Sequence, residues 1–445
     1  MVALIKALQV VLALAILIVV HELGHFTFAK LFKIRVDKFF LFFDAGDFKL
    51  LSTKTGWFSR IFPKGKDSET EYGIGWLPLG GYCKIAGMVD ESMDTEYLKN
   101  EPQPWEFRTK PAWQRLLVMA GGVLFNFIFA IIMYITLLAG WGESYISNED
   151  NCIYVNELAY DMGFRNGDHI ISFDDYKPEN FLMLQADMAR QTAGKATVLR
   201  DGDTLDIYLD HSRIGDVLNT PGMFDLAREF VIHSIAEGSA NSGSQLESGD
   251  KVIRVAGQDI RFVQDAWPIL EAHAGEDVPI DIVRAADTLS LSLQVDTTGR
   301  LGVYLTSPKV KTMEYSLASA IPAGFVKTFE SIGEYIQDLK LVFTPSTEAY
   351  KSVGSFIAIG QVFPEAWDWY SFLSIIALLS IMLGVMNLLP IPALDGGHIL
   401  FTLYEMITGR KPSDNFLYIT QIIGMILVFG LMILAFGNDI IRLFR

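Results

Sequence analysis

Four stretches of this chain are each long and apolar enough to cross a bilayer, which takes about 20 residues of helix. They run from Val2 to Val20, Trp113 to Trp141, Ser371 to Leu389 and Phe416 to Phe436. With no water in the bilayer to satisfy backbone groups, such stretches must be helical, so the chain is expected to be built around four spans. The first, interrupted by Lys6 and Gln9, reads as a span and not as a cleaved leader. No small-residue cleavage site follows it, and apolar character resumes at Phe26 and Phe28. Trp367, Trp369 and Tyr370 precede the third stretch, where an aromatic belt is expected.

Charge orients these spans. The loop after the first carries Lys33, Arg35, Lys38, Lys49, Lys54, Arg60, Lys64 and Lys66, and the loop before the fourth carries Arg410 and Lys411. The positive-inside rule puts both loops in the cytoplasm and both chain ends outside, with Arg442 and Arg445 pulling weakly the other way. A net charge of −16 argues against nucleic acid as a partner. Cys83 and Cys152 have no zinc-finger spacing and fall on opposite sides of the membrane under this topology, so they are not expected to pair.

Between Gly142 and Pro308 the chain reads as a polar, mostly β region with about two acidic residues for each basic one. It contains an echo. Asn166-Gly167-Asp168 precedes an alternating strand, and so does Ser248-Gly249-Asp250. The pattern suggests one small domain present twice, although Gly-Asp turns before strands also occur in unrepeated β proteins. Residues Tyr315 to Phe343 have helical spacing of apolar side chains and suggest an amphipathic connector on the membrane surface.

Two polar islands stand in apolar surroundings. The first is His21-Glu22-Leu23-Gly24-His25, at the end of the first span. Residues i and i+4 of a helix share a face, so the two imidazoles can converge on one metal ion. Glu22 sits close enough to take a proton from a water activated by that ion. Ionisable groups at membrane depth are costly and are functional by default, whereas a polar cluster can also simply mark a helix end.

The second island runs from Asn387 to His398, where Pro390 and Pro392 must break the third span. Broken helix at membrane depth is tolerated where it lines a cavity or packs in protein. A catalytic zinc wants three protein ligands, so this island offers Asp395 or His398 as the third. Asn387 could hold a substrate carbonyl or backbone, or make a helix-packing hydrogen bond. His169, His211, His233 and His273 are scattered and read as structural or surface residues.

With both islands in view, the chain resembles the site-2 protease family of intramembrane metalloproteases, in its bacterial regulator-of-sigma-E type. The resemblance rests on His21 to His25, Asn387 to Pro392, Leu394-Asp395-Gly396 and the two Gly-Asp turns, and covers nearly the whole chain. It implies a polytopic α-helical membrane protein with four transmembrane helices, a membrane-associated β-rich region and two exterior PDZ-like α+β domains. The implied segments are 1–32, first helix; 33–112, cytoplasmic loop with the β region; 113–141, second helix; 142–220 and 221–308, PDZ-like domains; 309–366, amphipathic connector; 367–410, third helix; and 411–445, fourth helix.

The resemblance also implies roles. His21, His25 and Asp395 would bind one zinc ion per chain, Glu22 would be the general base and Asn387 would engage substrate. Within Tyr72 to Lys84, the segment Gly80-Gly81-Tyr82 would offer an extended edge to an unwound substrate strand. The implied substrates are single-pass transmembrane proteins already trimmed by another protease, such as anti-sigma factors or signal-peptide remnants. The implied setting is the bacterial inner membrane, in contact with lipid, as a monomer with its active site toward the cytoplasm. The PDZ-like domains would exclude substrates with bulky outer domains.

Two departures from the family pattern stand out. Ala120 to Asn126 lacks the usual Gly-Pro pair before the Asn, and Val353 to Ala358 has Ser355 where a proline is common. Neither is expected to touch a metal ligand. The main alternative is a catalytically inactive membrane PDZ scaffold, which the complete set of His21, Glu22, His25 and Asp395 disfavours. A soluble-type metalloprotease on an anchor would hold its histidine pair far from the apolar run. A transporter with a broken-helix metal site would show inverted repeats, which are not apparent.

Overall fold

The first apolar stretch does not stop at Val20: α1 (Val2–Leu31) continues as one helix through the His21 to His25 pentad. This is a computed structural model, and it describes residues 2–56, 58–61, 68–78, 80–88 and 101–443. Lys64, Lys66, Leu79 and Arg445, which figure in the loop-charge and β-region expectations, lie outside the described residues. The chain folds as two units, one comprising Met1–Gly142, Glu314–Lys340 and Tyr350–Arg445, the other Glu143–Met313 and Leu341–Ala349.

In the first unit α1 leads into β1 (Val36–Leu41), β2 (Lys49–Ser52), a helical turn α2 (Phe58–Ile61), β3 (Glu71–Gly75) and β4 (Tyr82–Ile85). These strands form one sheet in the order β2-β3-β1-β4, with β1 and β3 parallel and β4 at an edge. The long helix α3 (Ala112–Trp141) follows. Among the described residues, four helices are long and apolar enough to span a membrane: Val2–Leu31, Ala112–Trp141, Trp369–Leu388 and Asn415–Ile441.

The second unit holds the echo seen in the sequence. Its elements are β5 (Glu143–Ile146), β6 (Ile153–Val155), α4 (Glu157–Asp161), β7 (His169–Phe173), α5 (Leu184–Arg190), β8 (Lys195–Arg200), β9 (Asp203–Tyr208), α6 (Ile214–Asn219) and β10 (Phe224–Leu226). Then come β11 (Ile232–Ile235), β12 (Lys251–Val255), β13 (Gln258–Asp259), α7 (Val263–Ala272), β14 (Asp277–Arg284), β15 (Asp287–Gln294), β16 (Val303–Leu305) and β17 (Val310–Met313).

The antiparallel run β7-β8-β9 is repeated as β12-β14-β15. In the first copy Asp168 accepts from the Arg165 backbone N–H and from both Nε and Nη2 of Arg200. In the second, Asp250 does the same with the Glu247 N–H and Arg284. Each aspartate side chain is fully buried, so each bidentate pair stands where water cannot replace it. Separate cores, around Phe164 and Phe173 and around Val252 and Ile280, complete the two copies.

The chain then returns to the first unit through α8 (Leu317–Val342). Gly324 packs on Ile135 of α3, Ser331 lies 3.2 Å from the Tyr134 hydroxyl, and Ile332, Tyr335 and Leu339 pack near Ala130 and Ile381. The short α9 (Phe356–Val362) is capped at its N-terminus by Ser355, whose hydroxyl accepts from the Ile357 N–H, and the buried Asp439 carboxylate accepts in turn from the Ser355 N–H at 2.8 Å and its hydroxyl at 2.5 Å. Ser355, the departure from the family pattern, thus tethers α9 to the last helix. Next come α10 (Trp369–Leu388), α11 (Asp395–Thr408) and α12 (Asp414–Leu443). The Asp368 side chain caps α10 by accepting from the Ser371 N–H at 2.7 Å.

Candidate active site

Helical spacing on α1 brings the two imidazoles of the pentad together, with Nε2 of His21 and His25 3.2 Å apart. The third group comes from across the bundle. Asp395 opens α11, and its Oδ2 lies 3.3 Å from Nε2 of His21 and 3.4 Å from Nε2 of His25. The local sequence explains that placement. Pro390 and Pro392 stop α10 at Leu388, and the chain turns so tightly that Gly396 and Gly397 leave no space for side chains. A Cβ on Gly396 would lie 2.2 Å from the Leu389 carbonyl oxygen, and one on Gly397 2.4 Å from the Pro392 Cα.

These three ligand atoms lie within 4.8 Å of one another and form the set, among the described residues, that could hold a metal ion. Two observations test the fit. Asp395 Oδ2 is buried and makes no hydrogen bond among the described residues, a costly state for a carboxylate oxygen unless a cation completes it. A tetrahedral zinc site with bonds of about 2.0–2.1 Å also has ligand–ligand edges of about 3.3–3.4 Å, which matches the spacings found here. The donor set of two imidazoles and one carboxylate fits a zinc ion with one position left open. His398 lines the same cavity without joining this set.

Glu22 follows His21 directly, and its carboxylate is within hydrogen-bonding reach of the Cys83 backbone N–H on β4. It faces a cavity of 450 Å³ that also reaches Asn387, Gly81, Tyr82, Lys38 and Asp44. Asn387 Nδ2 lies 3.3 Å from His21 Nε2, so the island in the third span and the pentad meet. Gly81 and Tyr82 line the cavity as expected, whereas Gly80 packs against the Phe43 ring.

Three cavity residues carry an electrostatic arrangement invisible in the sequence. The Tyr82 hydroxyl donates to Asp44 Oδ1 at 2.7 Å, and Lys38 Nζ donates to Oδ2 at 2.9 Å. Burial would raise the Asp44 carboxyl, but the hydrogen bonds from Lys38 and Tyr82 outweigh it and hold the group below its ordinary range. Burial first, and then the bond to ionised Asp44, push the Tyr82 phenol well above its ordinary value. Tyr82 therefore stays a neutral donor, and β4 is pinned beside Glu22.

The expectation that the 120–126 segment avoids the metal ligands is overturned. Gly122 of α3 sits against both imidazoles: a Cβ there would lie 2.5 Å from His21 Cε1 and 2.5 Å from His25 Nε2. One turn before it, the Val118 carbonyl is 2.8 Å from His25 Nδ1, and one turn after it the Asn126 side chain is 3.1 Å from His21 Nδ1. The one signal in the sequence was an amide in the middle of an apolar span.

Helix-borne histidines, a facing carboxylate and an adjacent glutamate among spanning helices define a membrane metalloprotease. The chain belongs to peptidase family M50, whose family model matches residues 9–431. It is similar along its length to a Ralstonia nicotianae protein whose name describes it as a zinc metalloprotease, with 29% identity over 98% of each chain. It is also similar to the regulator of sigma-E protease RseP of Salmonella typhimurium (28% identity, covering 97% of this chain and 98% of the relative) and of Escherichia coli (27%, covering 97% and 98%).

Proposed function

We propose that this zinc metalloprotease is an intramembrane endopeptidase that hydrolyses a peptide bond within single-pass transmembrane proteins. One zinc ion per chain is held by His21, His25 and Asp395. The observation that carries this reading is the convergence of those three ligand atoms, two from the spanning helix α1 and one from the start of α11, just after the third span, with Glu22 facing the same cavity. What the ion supplies when bound is Lewis acidity, which polarises a peptide carbonyl and makes a water easier to deprotonate. Glu22 takes the proton from the attacking water and passes it to the leaving amine. Asn387 holds the substrate backbone beside His21.

The substrate helix must unwind before its peptide bonds are accessible. Strand β4 supports that step, since it is an edge strand carrying Tyr82, with Gly81 just before it at the cavity. The charge of the loops supports an inner-membrane topology with the cavity toward the cytoplasm and the two repeats outside. In this reading the repeats are PDZ-like modules at 142–220 and 221–308 that filter out bulky substrates. The candidate substrates are trimmed anti-sigma factors or signal-peptide remnants, by likeness to the sigma-E regulators.

The test is cleavage of a tagged, pre-trimmed single-pass substrate in membranes by the native chain and by Glu22→Gln, with zinc measured on both. Both should hold about one zinc, and the variant should cut about 10²–10⁴-fold more slowly. A native chain that holds zinc yet cuts no such substrate would point instead to a membrane scaffold.

A further inference from the structure

Zinc is held by the lone pair of a neutral imidazole nitrogen, so the proton of each ligating ring must sit on the other nitrogen and find an acceptor. For His25 that acceptor is the Val118 main-chain carbonyl. A carbonyl only accepts, so the 2.8 Å contact between His25 Nδ1 and the Val118 oxygen fixes the proton on Nδ1 and leaves Nε2 free. His21 presents Nε2 to the same point, 3.3 Å from Asp395 Oδ2, and its Nδ1 must therefore also carry a proton. The group facing that nitrogen is the Asn126 amide, at 3.1 Å.

We propose that Asn126 is a positioning residue: its side-chain oxygen accepts the His21 Nδ1 proton and so locks the ring in the tautomer that offers Nε2 to zinc. The inference rests on the reading of His21 as a zinc ligand. Three observations carry it. Asn126 is fully buried, and its Oδ1 makes no hydrogen bond among the described residues while its Nδ2 faces the ring. A half-turn of the amide exchanges those two atoms in the same space and supplies the missing acceptor.

The opposite arrangement, with the amide nitrogen donating to Nδ1, would leave a proton on Nε2. That proton would point at His25 Nε2, 3.2 Å away, where the metal belongs. The amide is also held in place. The Asn126 main-chain carbonyl accepts from Ser380 Oγ of α10 at 2.8 Å, and Gly122 one turn earlier lets the α3 backbone lie against both rings. Val118, Gly122 and Asn126 thus form one stripe on α3, with an acceptor for each imidazole at either end.

The test uses the full-length protein in detergent, comparing the native chain with Asn126→Leu, Asn126→Asp and His21→Ala. Zinc affinity is read by competition with a chelator, and the unfolding temperature is read with and without zinc. Asn126→Leu, which keeps the volume and removes the acceptor, should bind zinc about 10–100-fold more weakly. Asn126→Asp, which restores an acceptor, should recover most of that loss. The zinc-free unfolding temperature should be similar in both, because a packing defect lowers it whether or not metal is bound, whereas lost positioning lowers only the rise that zinc produces.

Native affinity in Asn126→Leu overturns the proposal, and so does an equal loss in the Leu and Asp variants. Should Asn126→Leu not fold, Asn126→Ala removes the acceptor without adding bulk and is read by the same criteria. If His21→Ala binds zinc as tightly as the native chain, it is the ligand assignment that fails, independently of how Asn126 behaves.

Discussion

Gly24 of α1 and Gly121 of α3 touch backbone to backbone: a Cβ on Gly24 would lie 2.1 Å from the Gly121 carbonyl oxygen, and one on Gly121 2.6 Å from that of Gly24. Gly24 stands inside the His21 to His25 pentad, so this contact sets how closely α3 approaches the two rings. Close approach through small residues is how membrane helices gain packing energy without a hydrophobic driving force. Gly24→Ala should therefore force the helices apart, destabilise the protein by about 1–3 kcal/mol and weaken zinc binding. Thermal unfolding and zinc content check it. A variant with native values in both would mean that the interface yields freely.

Asp395 supplies the only carboxylate of the metal set, and its Oδ2 makes no hydrogen bond among the described residues. Asp395→Asn keeps the shape but replaces a charged ligand by a neutral one, so zinc content after purification should fall well below that of the native chain. Removing zinc from the native chain with a chelator should abolish cleavage and leave helical content unchanged, because the spans are held by helix packing. Re-addition of zinc should restore cleavage to the native chain. Loss of helical signal on chelation would instead make the metal a folding element.

Much of this site was legible because its chemistry is local. His21, Glu22 and His25 share one turn-and-a-bit of helix, and two prolines near an aspartate in an apolar span announce a break. The choice between Asp395 and His398 was not legible from spacing, and only the family resemblance favoured Asp395. Both sit on α11, three residues apart, and only the turn packed around Gly396 and Gly397 decides which one reaches the histidines. Val118 contributes a main-chain carbonyl, which no side-chain pattern can reveal. Asn126 and Gly122 depend on the register of α3 against α1. The repeat was readable from its Gly-Asp turns, but its Arg partners were not, because Arg200 and Arg284 come from strand ends distant in sequence.

The buried Asp250–Arg284 pair makes the second repeat sensitive to acid. The Arg284 hydrogen bonds, which outweigh burial, hold the Asp250 carboxyl below its ordinary range. A depressed native pKa means that the pair's contribution is present above the unfolded-state value of about 3.9 and is lost as pH falls through the native one. Arg284→Met should lower the unfolding midpoint by several degrees at pH 7. The gap to the native chain should narrow as pH falls below about 4, where the unfolded chain takes up a proton at Asp250 while the folded one still holds it ionised. Unfolding of the repeat unit followed by limited proteolysis across that range reads the effect; a gap that stays constant to low pH would assign the loss to Arg284 packing.

Arg115, near the start of α3, is buried against Glu405 of α11, the helix that begins with Asp395. Its Nε also donates to the Lys110 carbonyl at 3.1 Å, so the guanidinium is fixed from both sides. Removing one member of such a pair leaves the other charge without a partner in a poorly solvated place, while removing both relieves that penalty. Arg115→Met alone should therefore destabilise the protein by about 3 kcal/mol, and adding Glu405→Gln should return a good part of it. A double-mutant cycle on thermal unfolding measures the coupling directly. Additive losses would show that each side chain acts through its own packing, and that the charge pair itself does little to hold α11 against α3.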